Sequence, residues 1–249
     1  MRRQTAYVSD SKSQIQENSG RRWAVLLPAL VVPLAASFIY FVLYPGTAFG
    51  NAFYVIAKLN LLLWPIIGTL WILKEPMVDK SLQRRHKASL IQGTLFGIAV
   101  TAVLVFLYKG TPVGSVVGEN VVRISERIVG LGIADYYWQF ALFLSFAHAA
   151  LEEFYWRWFV FGNARRLMPA TAAIVLAAVG FTAHHVVVLS QFFSLGWAFV
   201  LGSCVGVGGA VWSLIYHRTN SMWGPWVSHM IIDLAIMWVG WEVLQAAGI

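Results

Sequence analysis

The stretch Leu151-Glu152-Glu153-Phe154-Tyr155-Trp156-Arg157-Trp158 sets two adjacent carboxylates and a guanidinium inside an apolar run that extends from Tyr136 to about Gly162. In a membrane helix each such charge costs at least ~2.5–3.5 kcal/mol at the bilayer centre on insertion scales. A chain tolerates that cost when the charges pair with one another or when they perform chemistry. On a helix Glu153 and Arg157, four residues apart, share a face and can pair. Glu152 sits about 100° away around the axis. It lies outside that pair and is free to act as a base in a medium of low dielectric.

The composition agrees with a membrane setting. Of the 249 residues, 59% are hydrophobic and 12% charged, where soluble domains carry about 45–50% and about 25%. With a mean hydropathy of +0.67, the expected fold is an all-α polytopic transmembrane helix bundle. The formal net charge of +7 does not indicate a nucleic-acid partner, because the basic residues cluster between apolar runs, as the positive-inside bias produces. Cys204 is the single cysteine. It excludes an internal disulfide framework and reads as a small buried hydrophobe. The first twenty residues lack an apolar core with a small-residue cleavage site, so no cleaved signal peptide is expected.

Residues 1–22 read as a polar cytosolic tail, flexible at its start, and residues 23–249 as a single transmembrane domain. The spacing predicts about seven spanning helices, over residues 23–44, 52–73, 89–108, 136–162, 170–189, 195–215 and 222–244. The basic stretches at 74–87, 165–166 and 217–220 then all fall on the side of the N-terminus, in the cytosol. Lys58, inside the second run, can snorkel or pair within the bundle. Residues 121–133 carry Arg123, Glu126 and Arg127 at helical spacing among Val, Ile and Leu, which suits either an amphipathic helix at the outer interface or an ordinary solvated linker. Gly202 and Gly206 make a small-xxx-small face for close helix contact.

Topology places the ionisable groups at comparable depth. At ~1.5 Å per residue, Glu152, His185 and His229 lie roughly 15, 22 and 11 Å from the cytosolic ends of their runs. A hydrocarbon core is about 30 Å thick, so all three fall in or near its middle third. His148 is four residues before Glu152 and on its face. His229 and Asp233 are four apart, so the carboxylate can orient the imidazole. Phe181 and His185 share a face, while His184 points about 100° from His185. Simpler roles exist for several of these residues. Glu153 with Arg157 reads as a structural ion pair, His148 and His184 as satisfied bundle histidines, and His229 with Asp233 equally well as a buried hydrogen-bond clip or a site. Jointly they mark a functional pocket, with the catalytic part at about 136–244.

A carboxylate beside two histidines suits water activation: Glu152 takes a proton from a water that attacks a peptide carbonyl. One histidine shares that water, and the other, with Asp233, holds the oxyanion. No serine stands in a nucleophile motif. One Glu and two His (Glu152, His185, His229) would also bind a catalytic Zn²⁺ with an open position. The residues leave metal-free and metal-assisted hydrolysis both open, and the first requires no cofactor.

Glu152-Glu153-Phe154-Tyr155-Trp156-Arg157 resembles the EExxxR motif of the CAAX prenyl protease and bacteriocin-processing family of intramembrane glutamic-type endopeptidases. Phe181-Thr182-Ala183-His184-His185 is similar to its FxxxH motif. Asn220-Ser221-Met222-Trp223-Gly224-Pro225, leading into His229-Met230-Ile231-Ile232-Asp233, is similar to its final HxxxN motif, with Asp where Asn is commoner. The resemblance covers roughly residues 136–244. It implies an endopeptidase that cuts near a substrate's C-terminus or in a membrane-proximal segment. It further implies Glu152 as general base, His185 positioning water, and His229 with residue 233 forming the oxyanion pocket. An ionised Asp233 cannot donate a hydrogen bond, so it is either protonated by burial or acts through His229. Expected partners are membrane lipid and a peptide or protein substrate, and the expected location is a bacterial inner membrane with the N-terminus cytosolic. The alternatives are a proton-coupled transporter, for which no inverted repeat is visible, and a non-proteolytic scaffold of the same fold.

Overall fold

The computed structural model describes the backbone of residues 2–249 and the side chains from residue 17 onward. Helix α1 spans Arg2–Phe38 and closes in a π-helical turn, Ile39–Leu43. Helix α2, Ala48–Ile67, is capped by the Thr47 hydroxyl accepting from the Gly50 amide at 3.0 Å. Its Pro65 cannot donate, and the helix continues as a π-helical stretch over Gly68–Ile72. Then come α3 (His86–Gly110), the short α4 (Val113–Glu119) and α5 (Val121–Gly130), and the composite α6 (Ala134–Ala164). Helices α7 (Ala170–Leu189), α8 (Leu195–Thr219) and α9 (Trp223–Ala246) complete the bundle. No strand occurs among the described residues.

Six helices are long and apolar enough to cross a membrane, and α5 with α6, bent by 87°, makes a seventh when counted as one span. The protein is an integral membrane protein. Large apolar side chains such as Leu95, Phe106, Phe199 and Val207 point outward, as lipid contact requires. Cys204 is exposed on α8 rather than buried. The backbone of the polar N-terminal segment continues α1 from Arg2, so it is not a separate coil. The expectation of flexibility at its very start lies outside the described side chains.

Helix α6 is the axis of the bundle and differs most from the sequence expectation. The helix expected over 136–162 forms within Ala134–Ala164, but it is not α-helical throughout. Its central α-helical segment, Ala149–Glu153, is flanked by π-helical stretches at Leu144–His148 and Phe154–Phe161. Such wider turns re-aim side chains and occur frequently at functional sites. In the second stretch Tyr155, Trp156, Arg157, Phe159, Val160 and Phe161 are all buried. They pack with Val25 and Leu26 of α1, Leu61 of α2, Phe181 of α7 and Trp212 of α8 in the main core.

Two local devices hold α1 and α3 in place. Pro33 has no amide hydrogen, so the carbonyl four residues earlier, Ala29, loses its helical donor. The buried Tyr155 hydroxyl of α6 donates to that carbonyl at 2.9 Å. On the other side of the bundle, α3 and α9 approach so closely at Gly93 and Gly224 that a Cβ on either would collide with the other helix's backbone. The Ser89 hydroxyl clips this crossing, donating to the Ser221 carbonyl at 3.1 Å and accepting from the Gly224 amide at 3.0 Å. Gly202 and Gly206 let α8 lie against Val186 and Thr182 of α7, the close contact their spacing suggests.

The basic loops gather at one end. Arg22 and Arg166 both pair with Glu75, and Arg22 donates to Asn163 at 2.8 Å. The Arg85 amide bonds to the Thr219 carbonyl at 2.9 Å, just before Asn220 ends α8 in the left-handed region at φ 50°. At the other end Arg123 of α5 donates to the carbonyls of Ser190 and Gln191, at 2.6 and 3.0 Å, covering the exposed end of α7. Ile124 and Ile128 of α5 pack on Val243 and Leu244 of α9. The amphipathic segment therefore buries its apolar face against the bundle.

The Tyr155 hydroxyl can be tested directly. Tyr155→Phe should lower stability by about 0.6–1.7 kcal/mol, the range of hydrogen bonds measured within membranes. Combined with Pro33→Ala, which restores a backbone donor to Ala29, the loss should shrink. Reversible unfolding in mixed micelles reads both, and additive effects would reject the assignment.

Candidate functional site

Helix α6 carries Glu152 and Glu153 on its central α-helical segment, Ala149–Glu153, and α7 and α9 bring histidines against them. Glu152 is 5% exposed and Glu153 1%. Glu152 Oε1 lies 3.2 Å from His148 Nε2 and 3.6 Å from His184 Nε2, and Oε2 lies 3.9 Å from His229 Nε2. His185 offers a nitrogen within 4.8 Å of the nearest ligand atoms of Glu152 and His184. Its Nδ1 donates to the Phe181 carbonyl at 2.8 Å, so Nε2 is left with its lone pair for the pocket. That separation from Glu152 is one that a bridging water spans.

Glu153 does more than the structural ion pair expected of it. Its Oε2 meets Arg157 Nε at 3.2 Å, as the four-residue spacing predicts. Its Oε1 accepts from His229 Nδ1 at 2.9 Å. Glu153, on a different helix, is therefore the closest orienting partner of His229. Asp233, expected in that role, lies 3.6 Å away on the other ring nitrogen, Nε2. The His229 ring is also stacked on Trp212 at 4.4 Å and 19°, and Trp212 is fixed by donating to the Ser228 hydroxyl at 2.9 Å. With Nδ1 committed, only Nε2 faces Glu152 and Asp233.

Arg157 is 1% exposed, and its guanidinium nitrogens lack well-directed hydrogen bonds. The 3.2 Å contact with Glu153 is thus an ion pair by distance rather than an aligned bond. The guanidinium gains instead from two aromatic faces, 4.5 Å from the Phe181 ring and 4.9 Å from Trp212. Gly209 of α8 leaves the space it occupies, since a Cβ there would stand 2.9 Å from the guanidinium. Phe181, a secondary candidate in the sequence, is therefore a platform: it touches Arg157 and the rings of His184, His185 and His229.

The structure brings Glu152, Glu153, Arg157, His184, His185, His229, Asp233, His148 and Phe181 into one cluster. His148 and His184 are nearer to Glu152 than the plain bundle role would need. His184 is stacked on Trp156 at 5.5 Å and 4°. Two participants carried little or no sequence signal of a role here. Trp212 looks like any interfacial aromatic. Lys58 of α2 was unusual only for its charge in an apolar run, and its Nζ lies 3.2 Å from His148 Nε2.

The donors that could hold a metal differ from the expected set. Glu152, His184 and His185 present ligand atoms all within 4.8 Å of one another. His229, named with Glu152 and His185 from the sequence, has its Nδ1 bound to Glu153 and its Nε2 at 3.9 Å from Glu152. Zinc bonds of about 2.0–2.2 Å put tetrahedral donors roughly 3.4 Å apart. The three residues are of the right chemistry, and a modest closing movement would let them hold a zinc ion, which would supply Lewis acidity to a bound water.

A cavity of about 580 Å³ leads from the basic end to Glu153. Phe154, Trp158, Met222 and Trp223 line it, and Arg84, Arg165 and Arg166 stand where it meets the loops.

Residues 134–235 match the family described as Rce1-like, type II CAAX prenyl endopeptidase. That segment contains every cluster residue except Lys58. The family resemblance carried by the three motifs is thereby shown for this segment, and the Rce1-like family implies a CAAX-type intramembrane protease. No curated protein and no solved structure matches the chain.

Arg157→Met should destabilise the bundle by about 3–5 kcal/mol, because it leaves Glu153 as a buried charge without its cation. The double variant Arg157→Met, Glu153→Gln should recover part of that loss. Thermal unfolding in detergent measures both.

Proposed function

We propose that the protein is an intramembrane endopeptidase in which Glu152 activates water to hydrolyse a peptide bond near the C-terminus, or in a membrane-proximal segment, of a membrane-associated substrate. The observation that carries this reading is the convergence of Glu152 with imidazoles from its own helix, α7 and α9, inside the bundle and away from lipid. In the proposed sequence a water sits between Glu152 and His185 Nε2. Glu152 takes its proton as the water oxygen bonds to the carbonyl carbon, and the carbonyl electrons move onto oxygen. His229 donates from Nε2 to that oxyanion. Glu153 holds the other ring nitrogen, so that the donor is already aimed. On collapse the C–N bond breaks and Glu152 returns its proton to the leaving amine.

Asp233 fits this scheme through His229. As a carboxylate it has no hydrogen to give an oxyanion, but at 3.6 Å from Nε2 it favours a proton on that nitrogen. The cavity that reaches Glu153 supports access for an extended peptide from the basic end. The positive-inside bias puts that end, and with it the N-terminus, in the cytosol. A bacterial inner membrane is the matching location.

Glu152→Gln should leave the protein folded and reduce substrate cleavage by about 10²–10⁴-fold, the usual contribution of a general base. Comparing protein C-termini in membranes that carry the native or the Glu152→Gln chain would reveal both substrate and loss. Unchanged cleavage rejects the mechanism, and proton-driven solute uptake without cleavage would favour a transporter. Zinc chelation should leave the rate unaltered on the metal-free route. Loss of activity restored by added Zn²⁺ would instead place the ion on Glu152, His184 and His185.

A further inference from the structure

We infer that Lys58, on α2 and outside the matched segment, is a positioning residue for Glu152 that acts through His148. This rests on the proteolytic reading above and adds a second element to the machinery. The observation is a shared nitrogen: His148 Nε2 lies 3.2 Å from Lys58 Nζ and also 3.2 Å from Glu152 Oε1. One ring nitrogen cannot accept from the ammonium and donate to the carboxylate at the same time. The Lys58–His148 pair therefore stands as one unit against Glu152, with a single ring nitrogen between the Lys58 amine and the carboxylate.

The charge distribution shows why such a pair is needed. Glu152, Glu153 and Asp233 bring three carboxylates to one buried cluster. Arg157 is committed to Glu153, and among the described residues Lys58 is the other lysine or arginine in contact with the group. Lys58 also lies 5.0 Å from the Tyr54 ring, itself stacked on Tyr40 at 4.3 Å. The aromatic contact steadies the amine at this depth, whereas a lysine that only snorkels extends its amine towards the headgroups. The side chain instead points inward to His148. Lys58 and His148 thus fix the Oε1 side of Glu152, as Glu153 fixes the outer nitrogen of His229. Glu152 is thus held from the side of α2, and His229 from the side of Glu153.

The test is cleavage of a membrane-embedded peptide reporter by the full-length protein and its Glu152→Gln, Lys58→Met, Lys58→Gln and Lys58→Arg variants. The native chain should cleave and Glu152→Gln should not; failure of that comparison rejects the protease reading and is separate from the outcome for Lys58. Given that difference, Lys58→Met and Lys58→Gln should lower kcat by about 10- to 100-fold with KM within twofold of native, as for a misplaced catalytic group. Lys58→Arg should recover most of the loss. A kcat within twofold of native for both uncharged variants overturns the proposal. So does a loss confined to KM. Failure of both uncharged variants to fold would mark Lys58 as a purely structural residue and would equally overturn it.

Discussion

Three carboxylates within one lipid-embedded bundle are tolerable only because each has a specific partner, and Glu153 is where those partnerships join. It ties the cation of its own helix to an imidazole from α9. Removing either contact would leave a charge in low dielectric without compensation, which is far costlier than losing a surface pair. The position of His229, the packing of Arg157 between Phe181 and Trp212, and the space left by Gly209 all follow from satisfying that one side chain. Glu152 is spared the task, and so its face is open to histidines rather than to a fixed cation.

This division of labour between neighbouring acids depends on backbone geometry. Glu152 and Glu153 sit on a short regular segment between two widened turns. The regular part ends at Glu153, and Arg157, four residues on, lies in the widened stretch that follows. In the second widened stretch Tyr155, Trp156, Phe159 and Phe161 are all buried. The bundle therefore has an unusual interior: ion pairs and histidines at its centre, sheathed by aromatic rings, with aliphatic side chains turned to lipid.

Much of this was legible in the residues. Apolar runs separated by basic loops defined the spans, because lipid leaves few other solutions for a backbone. Spacing of four residues correctly paired Glu153 with Arg157 and put His148 beside Glu152, since both are contacts within one helix. What stayed hidden were contacts between helices and departures from regular helix. Periodicity cannot tell which carboxylate on α6 meets an imidazole on α9, so Asp233, four residues from His229, looked like its natural partner. Nor does the run at 136–162 announce its π-helical stretches. Lys58 stood out as a charge in the wrong place, yet the sequence held no means of naming His148 as its destination.

The bond from Tyr155 to Ala29 has a consequence for biogenesis. The two residues are 126 positions apart, so α1 emerges from the ribosome and enters the bilayer long before the hydroxyl that completes it has been synthesised. An uncompensated carbonyl in hydrocarbon costs several kcal/mol. The first hydrophobic segment is therefore unfinished when it leaves the translocon, and its final seat is granted only by the arrival of the helix that bears the acids.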